Sequence, residues 1–325
     1  DKDVLKEIKN TKKTGLISYL LFEDDKIVID ESDIPDKTRK GKNNEAEKIH
    51  NGLLQSHSMG KSLVSYVTGH AICEGYISSV DEKLTGWDVI ENTLYDNQVL
   101  IDLLNMQAGD QRYVGERIKP HEDSTLKNKK WGGRKINVNT VGLKRLMKKY
   151  FQNTKKSKPV YNYSALTTNV IMNYVIFKTG DDWEKLLHKV FNEHVKVKDN
   201  VYFHQTVTYP YKGSGRYSFY ATRYDYLRIA KTIMDDWNNN TCAGKYLKTI
   251  YERRINKNIT GYEQAAAVAG YTRKYGGQFH FDFVGLKKRK ILGMDGMGGQ
   301  QIIIDFEKKR IIVVNTLDQH YNWKK

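Results

Sequence analysis

The sequence predicts an α+β protein whose central antiparallel sheet is built from both ends of the chain, with a mainly helical region inserted between them. Three observations predict it. A β-rich hairpin lies near the start, a second lies near the end, and apolar residues between them recur at helical spacing. On this reading residues 1–80 and 215–325 form the sheet domain and 81–214 the inserted helical domain.

The elements follow in order. Gly15 to Asp30 is two β-rich runs around an acidic turn. A polar stretch, Ser32 to Lys48, leads to a helix in which Met59, Leu63, Val64, Val67, Ala71 and Ile72 share a face and Gly75 supplies a C-terminal cap. From Asp81 to about Asn200 the chain is mixed and mainly helical, with Leu100 to Met106 and Thr140 to Met147 as the clearest amphipathic pieces. Ala221 to Met234 is a further helix capped by Thr222. Gln278 to Val284 alternates as a strand does, and Gln301 to Asn315 is a hairpin turning at Glu307-Lys308-Lys309. Only Leu317 to Lys325 follow, leaving little room for a final helix.

With 325 residues, 39% hydrophobic and 28% charged, the chain can bury a sizeable core. No apolar run reaches the roughly 18 residues that span a membrane. The start at Asp1 rather than Met favours a periplasmic or secreted location, reached after loss of a signal peptide. Cys73 and Cys242 are too few for a disulfide framework or a cysteine-based zinc site, and the nine histidines form no metal-ligand spacing. A net charge of +16 raises the question of nucleic acid. The lysines are nevertheless spread along the chain, the basic clusters at Lys127-Asn128-Lys129-Lys130 and Lys287 to Lys290 are short, and no nucleic-acid-binding signature is present.

The chemistry concentrates at Ser58-Met59-Gly60-Lys61, which puts a hydroxyl and an amine three residues apart on one helical face. An amine in that place can take a proton from the hydroxyl, and the helix N-terminus favours negative charge on the oxygen. The alternative is an N-capping serine followed by a solvated lysine.

These residues resemble the serine β-lactamase and penicillin-recognising superfamily, in particular its esterase and aminohexanoate-oligomer-hydrolase-like members. The resemblance runs from the hairpin at Gly15 to the hairpin ending near Thr316. Ser58-Met-Gly-Lys61 matches the family's Ser-x-x-Lys, and Ile101 to Gly109 looks like its leucine-rich helix running into a small-residue turn. Tyr161-Asn-Tyr-Ser-Ala165 matches the second, tyrosine motif. Gly296-Met-Gly-Gly-Gln300, set immediately before a strand hairpin, matches the third.

The resemblance implies a β-lactamase-like α/β sandwich and a serine hydrolase that forms an acyl-enzyme on esters or amides without a metal or organic cofactor. Ser58 is then the nucleophile, Lys61 the general base and Tyr163 the proton relay to the leaving group, with Tyr161 competing for that role. The backbone N–H groups of Ser58 and Met297 form the oxyanion hole, beside a loop of Asp295, Gly296, Gly298, Gly299 and Gln300. Trp131, Tyr211, Tyr217 and Tyr220 line an acyl pocket or belong to the core. Asp110, Arg112 and Arg216 contact substrate or sit in surface pairs.

Two decoys fall away. Lys178-Thr179-Gly180 spells the β-lactamase third motif but reads as a helix terminator. Gly60-Lys61-Ser62 imitates a phosphate-binding loop, yet Gln55 stands where that loop needs glycine. Two departures narrow the substrate. Met294-Asp295-Gly296-Met297 carries an acid where relatives carry a cation that attracts a substrate carboxylate, and Ala165 replaces an asparagine that bonds β-lactams. Both turn the reading from β-lactams and peptidoglycan toward uncharged or cationic acyl compounds. The rivals are a weak β-lactamase or D-alanyl peptidase, and a non-catalytic binding protein on the same scaffold.

Overall fold

A computed structural model of the protein describes residues 2–34, 49–50, 52–114, 142–208, 211–258, 267–286 and 288–317. Trp131, the side chain of Tyr211, the Lys127 to Lys130 cluster, Lys287, Thr140, Val141, most of the Ser32 to Lys48 stretch and the tail from 318 onward lie outside these residues. The chain divides into two compact units. One comprises Asp1–Leu63, Leu187–Phe203 and Ser218–Lys325; the other comprises Val64–Leu186 and His204–Tyr217.

Strands β1 (Leu16–Glu23) and β2 (Lys26–Ser32) form the predicted N-terminal hairpin. Its turn is Asp24-Asp25, both at positive φ (50° and 59°), which short polar side chains tolerate. Strands β3 (Ile49–His50), β4 (Leu53–Gln55), β5 (Tyr202–Thr208) and β6 (Tyr211–Ala221) make a four-stranded sheet in the order β3-β4-β6-β5. The sequence reading did not anticipate this second sheet. Strands β7 (Ile255–Asn256), β8 (Thr272–Gly276), β9 (Phe279–Phe283), β10 (Ile291–Gly296), β11 (Gln300–Asp305) and β12 (Arg310–Thr316) complete an eight-stranded sheet in the order β2-β1-β12-β11-β10-β9-β8-β7.

The sheet is built from the two chain ends, as the paired terminal hairpins predict. Tyr19 of β1 faces Glu31 on one side and Val314 of β12 on the other, both antiparallel. Leu16, Ile17, Leu20 and Phe22 are buried along β1, and the N-terminal helix Lys2–Ile8 lays Ile8 against Leu16 and Val314.

One helix, Arg223–Asn239, packs on β1, β11 and β12. Its start is dictated by Thr222, whose hydroxyl accepts the Asp225 N–H at 3.2 Å, and its end by Asn240 at φ 55°. Tyr226, Ile229, Ala230, Ile233 and Trp237 are buried at helical spacing. Arg223 adds a polar tie: its buried guanidinium donates to Ser18 Oγ at 2.8 Å and to the Asp30 carboxylate.

In the other unit the principal helix is Ala165–Thr179. Ser164 caps it by accepting the Leu166 and Thr167 N–H groups, and Gly180 ends it, so Lys178-Thr179-Gly180 is a helix terminus. Lys178 pairs there with Glu82 at 3.0 Å. Trp87 stacks on Phe177 beside Tyr174. Among the described residues no helix is long and apolar enough to cross a membrane.

Candidate active site

Strand β4 delivers the chain to Ser58. At its end Ser56 is fully buried and pairs with Phe219 twice: its N–H donates to the Phe219 carbonyl (2.7 Å) and its hydroxyl accepts the Phe219 N–H (2.8 Å), while that hydroxyl donates to the His57 carbonyl (3.0 Å). Behind this pair the Tyr226 hydroxyl donates to the Leu54 carbonyl at 2.7 Å, and Phe219 is ringed by Phe191, Phe203 and Tyr226. The backbone then turns sharply. His57 adopts φ 46°, a left-handed conformation uncommon for a residue with a side chain.

Helix Met59–Cys73 begins directly after Ser58. The Ser58 carbonyl accepts the Lys61 N–H at 3.0 Å, closing the first turn. That turn sets Lys61 Nζ 2.9 Å from Ser58 Oγ. Ser58 is partly exposed, whereas Lys61 is only 1% exposed. The solvated-lysine alternative is therefore excluded. Next along the helix, the buried Ser62 hydroxyl donates to the Gln278 carbonyl at 2.6 Å, tying this turn to the start of β9.

The glycine-rich segment precedes the β11–β12 hairpin, as expected, and is itself the turn joining β10 to β11. Gly298 and Gly299 have φ of 96° and 86°, and the Gly299 N–H closes the turn on the Gly296 carbonyl at 3.1 Å. Gly296 is required for another reason. A Cβ there would lie 2.5 Å from the Ser56 carbonyl and 3.3 Å from His57 Cβ. The third motif thus abuts the backbone two residues before Ser58. Met297 sits 46% exposed at the hairpin tip, while Gln300 is buried and its side-chain amide donates to the Thr316 carbonyl at 2.8 Å. Asp295 is buried and accepts the Ala269 N–H at 2.7 Å.

A group that sequence reasoning missed lies in the same unit. Lys257, 6% exposed, donates to the Ala269 carbonyl (2.8 Å) and Thr272 Oγ1 (2.7 Å) and lies 3.0 Å from His280 Nδ1. Burial first, then the neighbouring amine of Lys257, hold the His280 imidazole well below its usual range. No motif or spacing marks this pair.

Tyr161 and Tyr163 belong to the other unit. The residues flanking Tyr163 are both locked. Ser164 caps the following helix, and Asn162 donates its backbone N–H to the Met106 carbonyl and its side-chain amide to Val114 O and Asp110 Oδ1, each at 2.8 Å. Asp110 is fully buried and also accepts the Tyr95 hydroxyl (2.8 Å) and the Thr167 hydroxyl (2.9 Å). Neither a substrate contact nor a surface pair describes it. Burial pushes its carboxyl above the ordinary carboxylate range, against hydrogen bonds from Asn162, Tyr95, Thr167 and its own backbone N–H that pull the other way. Tyr220 is buried and stacks on Tyr202, so it belongs to the core. Neither cysteine is a free thiol.

No protein-family model and no curated protein matches the sequence. Solved structures do match. EstCE1, a hydrolase with promiscuous acyltransferase activity, aligns at TM-score 0.64 and 12% identity over 97% of this chain and 93% of that one. A D-amino acid amidase from Ochrobactrum anthropi SV3 aligns at TM-score 0.63 and 12% identity over 99% and 94%. A β-lactamase from Mycobacterium bovis aligns at TM-score 0.53 and 14% identity over 97% and 91%. The chain has the serine β-lactamase fold.

Proposed function

We propose that the protein is a serine hydrolase that cleaves esters or amides of small molecules through an acyl-enzyme on Ser58. The observation that carries this reading is the 2.9 Å approach of a buried lysine amine to the Ser58 hydroxyl. A serine hydroxyl is almost wholly protonated at neutral pH and needs a base within hydrogen-bond reach. Burial disfavours the charged form of an amine, which leaves a lone pair for the serine proton.

In the proposed reaction Ser58 Oγ attacks the substrate carbonyl carbon as its proton passes to Lys61 Nζ. The N–H groups of Ser58 and Met297 hold the oxyanion. Lys61 then returns the proton, with Tyr163 as relay, to the departing alcohol or amine. Water hydrolyses the acyl-enzyme by the same route in reverse. The step uses side-chain and backbone groups of this chain alone. The third motif carries no cation to attract an anionic acyl group, which favours uncharged or cationic substrates over β-lactams and D-alanyl peptides.

The test is intact-mass measurement after treatment with a fluorophosphonate, combined with turnover of p-nitrophenyl acetate and a panel of short esters, amides and β-lactams. One adduct per chain, absent in Ser58→Ala, is the expected result. A chain that takes no adduct and turns over no ester is a binding protein instead, and preferential turnover of β-lactams would replace the esterase reading by its rival.

A further inference from the structure

Lys257 and His280 have no part in the reaction as drawn so far, yet they are buried charge-bearing groups close to its base. Lys257 Nζ faces three acceptors: the Ala269 carbonyl, Thr272 Oγ1 and His280 Nδ1. Thr272 spends its own hydroxyl proton on the Val268 carbonyl at 2.9 Å, so it accepts from the lysine. Three acceptors match the three hydrogens of an ammonium group. His280 then accepts at Nδ1 and carries its proton on Nε2, a tautomer assigned from these contacts. This agrees with an imidazole held neutral.

Two contacts tie this cluster to the serine helix. Ser62, the neighbour of Lys61, bonds to the carbonyl of Gln278, which enters the strand carrying His280. His280 pairs in register with Gly293 of β10, the strand that ends at Gly296 against Ser56. Among the described residues of this unit, the titratable groups around the cluster include Lys61, Lys257, His280, the Tyr275 ring 5.0 Å from His280, and Asp295. Asp295 and Lys257 meet at one residue: Asp295 accepts the Ala269 N–H while Lys257 donates to the Ala269 carbonyl.

We propose that Lys257, held against His280 on the strand whose entry residue Gln278 accepts the Ser62 hydroxyl, is a fixed buried cation that keeps Lys61 neutral and ready to accept the Ser58 proton. It is a positioning residue, acting through Lys61 without touching substrate. The third motif lacks a cation, and on this inference the cation enters from the end of β7 instead. The proton taken from Ser58 makes Lys61 a second cation near Lys257, which favours its onward passage to the leaving group.

The inference rests on the serine hydrolase reading, and the experiment separates the two. The pH dependence of kcat/KM for p-nitrophenyl acetate is measured in the intact protein and in Lys257→Met, Lys257→Gln and Lys257→Arg, with thermal denaturation as the fold control. Removing the cation makes Lys61 easier to protonate. In the Met and Gln variants the acid limb should therefore move up by about one pH unit or more, lowering kcat/KM roughly tenfold near neutrality with recovery at higher pH. Lys257→Arg keeps the charge and should retain the parent limb. Gln preserves donors to the Ala269 and Thr272 oxygens and stands in if Met does not fold. An unmoved limb in a folded Met or Gln variant, or an Arg variant shifted as far as either, overturns the inference. Lack of a Ser58 adduct in the parent protein instead overturns the hydrolase reading itself.

Discussion

The Ser58 turn and the Tyr163 segment are held in place by opposite means. Around Ser58 the restraints are backbone ones: the Ser56–Phe219 strand pair, the left-handed His57, and a glycine whose missing side chain lets one strand end abut another. Around Tyr163 the restraint is a buried carboxylate, Asp110, that gathers Tyr95, Asn162 and Thr167. The first arrangement is broken by adding atoms, the second by removing them. Steric exclusion fixes position at small desolvation cost, whereas a buried polar network is favourable only while every member is satisfied.

Predictions follow from that contrast in order of size. The largest concerns the pair both regions are proposed to serve. Lys61→Met should lower the acylation rate by about a thousandfold or more, in line with the loss of a general base, while leaving thermal denaturation close to the parent. In the parent the rate should fall as pH drops and Lys61 is protonated. A rate that stays flat into acid would remove the amine from its role.

Asp110→Ala strands three buried donors and should cost about 3 kcal/mol or more by urea denaturation. A cost below about 1 kcal/mol would show that the Asn162 segment does not depend on it. Gly296→Ala should cost about 1–3 kcal/mol and reduce esterase turnover, because the hairpin must retreat from the Ser56 carbonyl. Unchanged turnover would mean that the hairpin plays no part in the chemistry.

The two regions should also respond to acid in different windows. His280 is held neutral in the folded state and protonates when unfolded. Below about pH 6.5 the unfolded chain binds the extra proton, so stability is lost as pH falls, by at most about 1.4 kcal/mol per unit. His194, held by Asp236 above its usual range, works in the opposite direction. The difference between the parent and His280→Gln isolates the first effect. Glu82, pulled down to about 2 by the Ser78 N–H, Tyr174 and Lys178 against the opposing effect of burial, contributes stability above about pH 4.5 that is lost as pH falls toward 2. Denaturation curves of Glu82→Gln and the parent should converge over that lower window.

Much of the fold was legible in the sequence because strand alternation and helical spacing are local signals. The two terminal hairpins, the serine helix with its end at Gly75 and the Thr222 cap each follow from neighbouring residues. The sheet from both chain ends follows because unpaired hairpins at opposite termini need partners. What stayed hidden was burial of charge. Lys257 stands between two asparagines and reads as loop, and Asp110 sits in a polar stretch that looks exposed. Each gains its surroundings from residues distant in sequence. The Lys257 to His280 relation has no periodicity to betray it, and Gly296 announces a turn without announcing which carbonyl it must clear.

The pairing of β1 with β12 has a consequence for how the molecule matures. Strand β1 leaves the ribosome before the strands and helices that lie between it and β12, and it finds that neighbour only in a late interval, across a connection of very high sequence separation. The β10–β11 hairpin that abuts Ser56 arrives in the same late interval. Nascent chains therefore carry Ser58 and Lys61 long before the glycine turn that abuts the preceding backbone has been made.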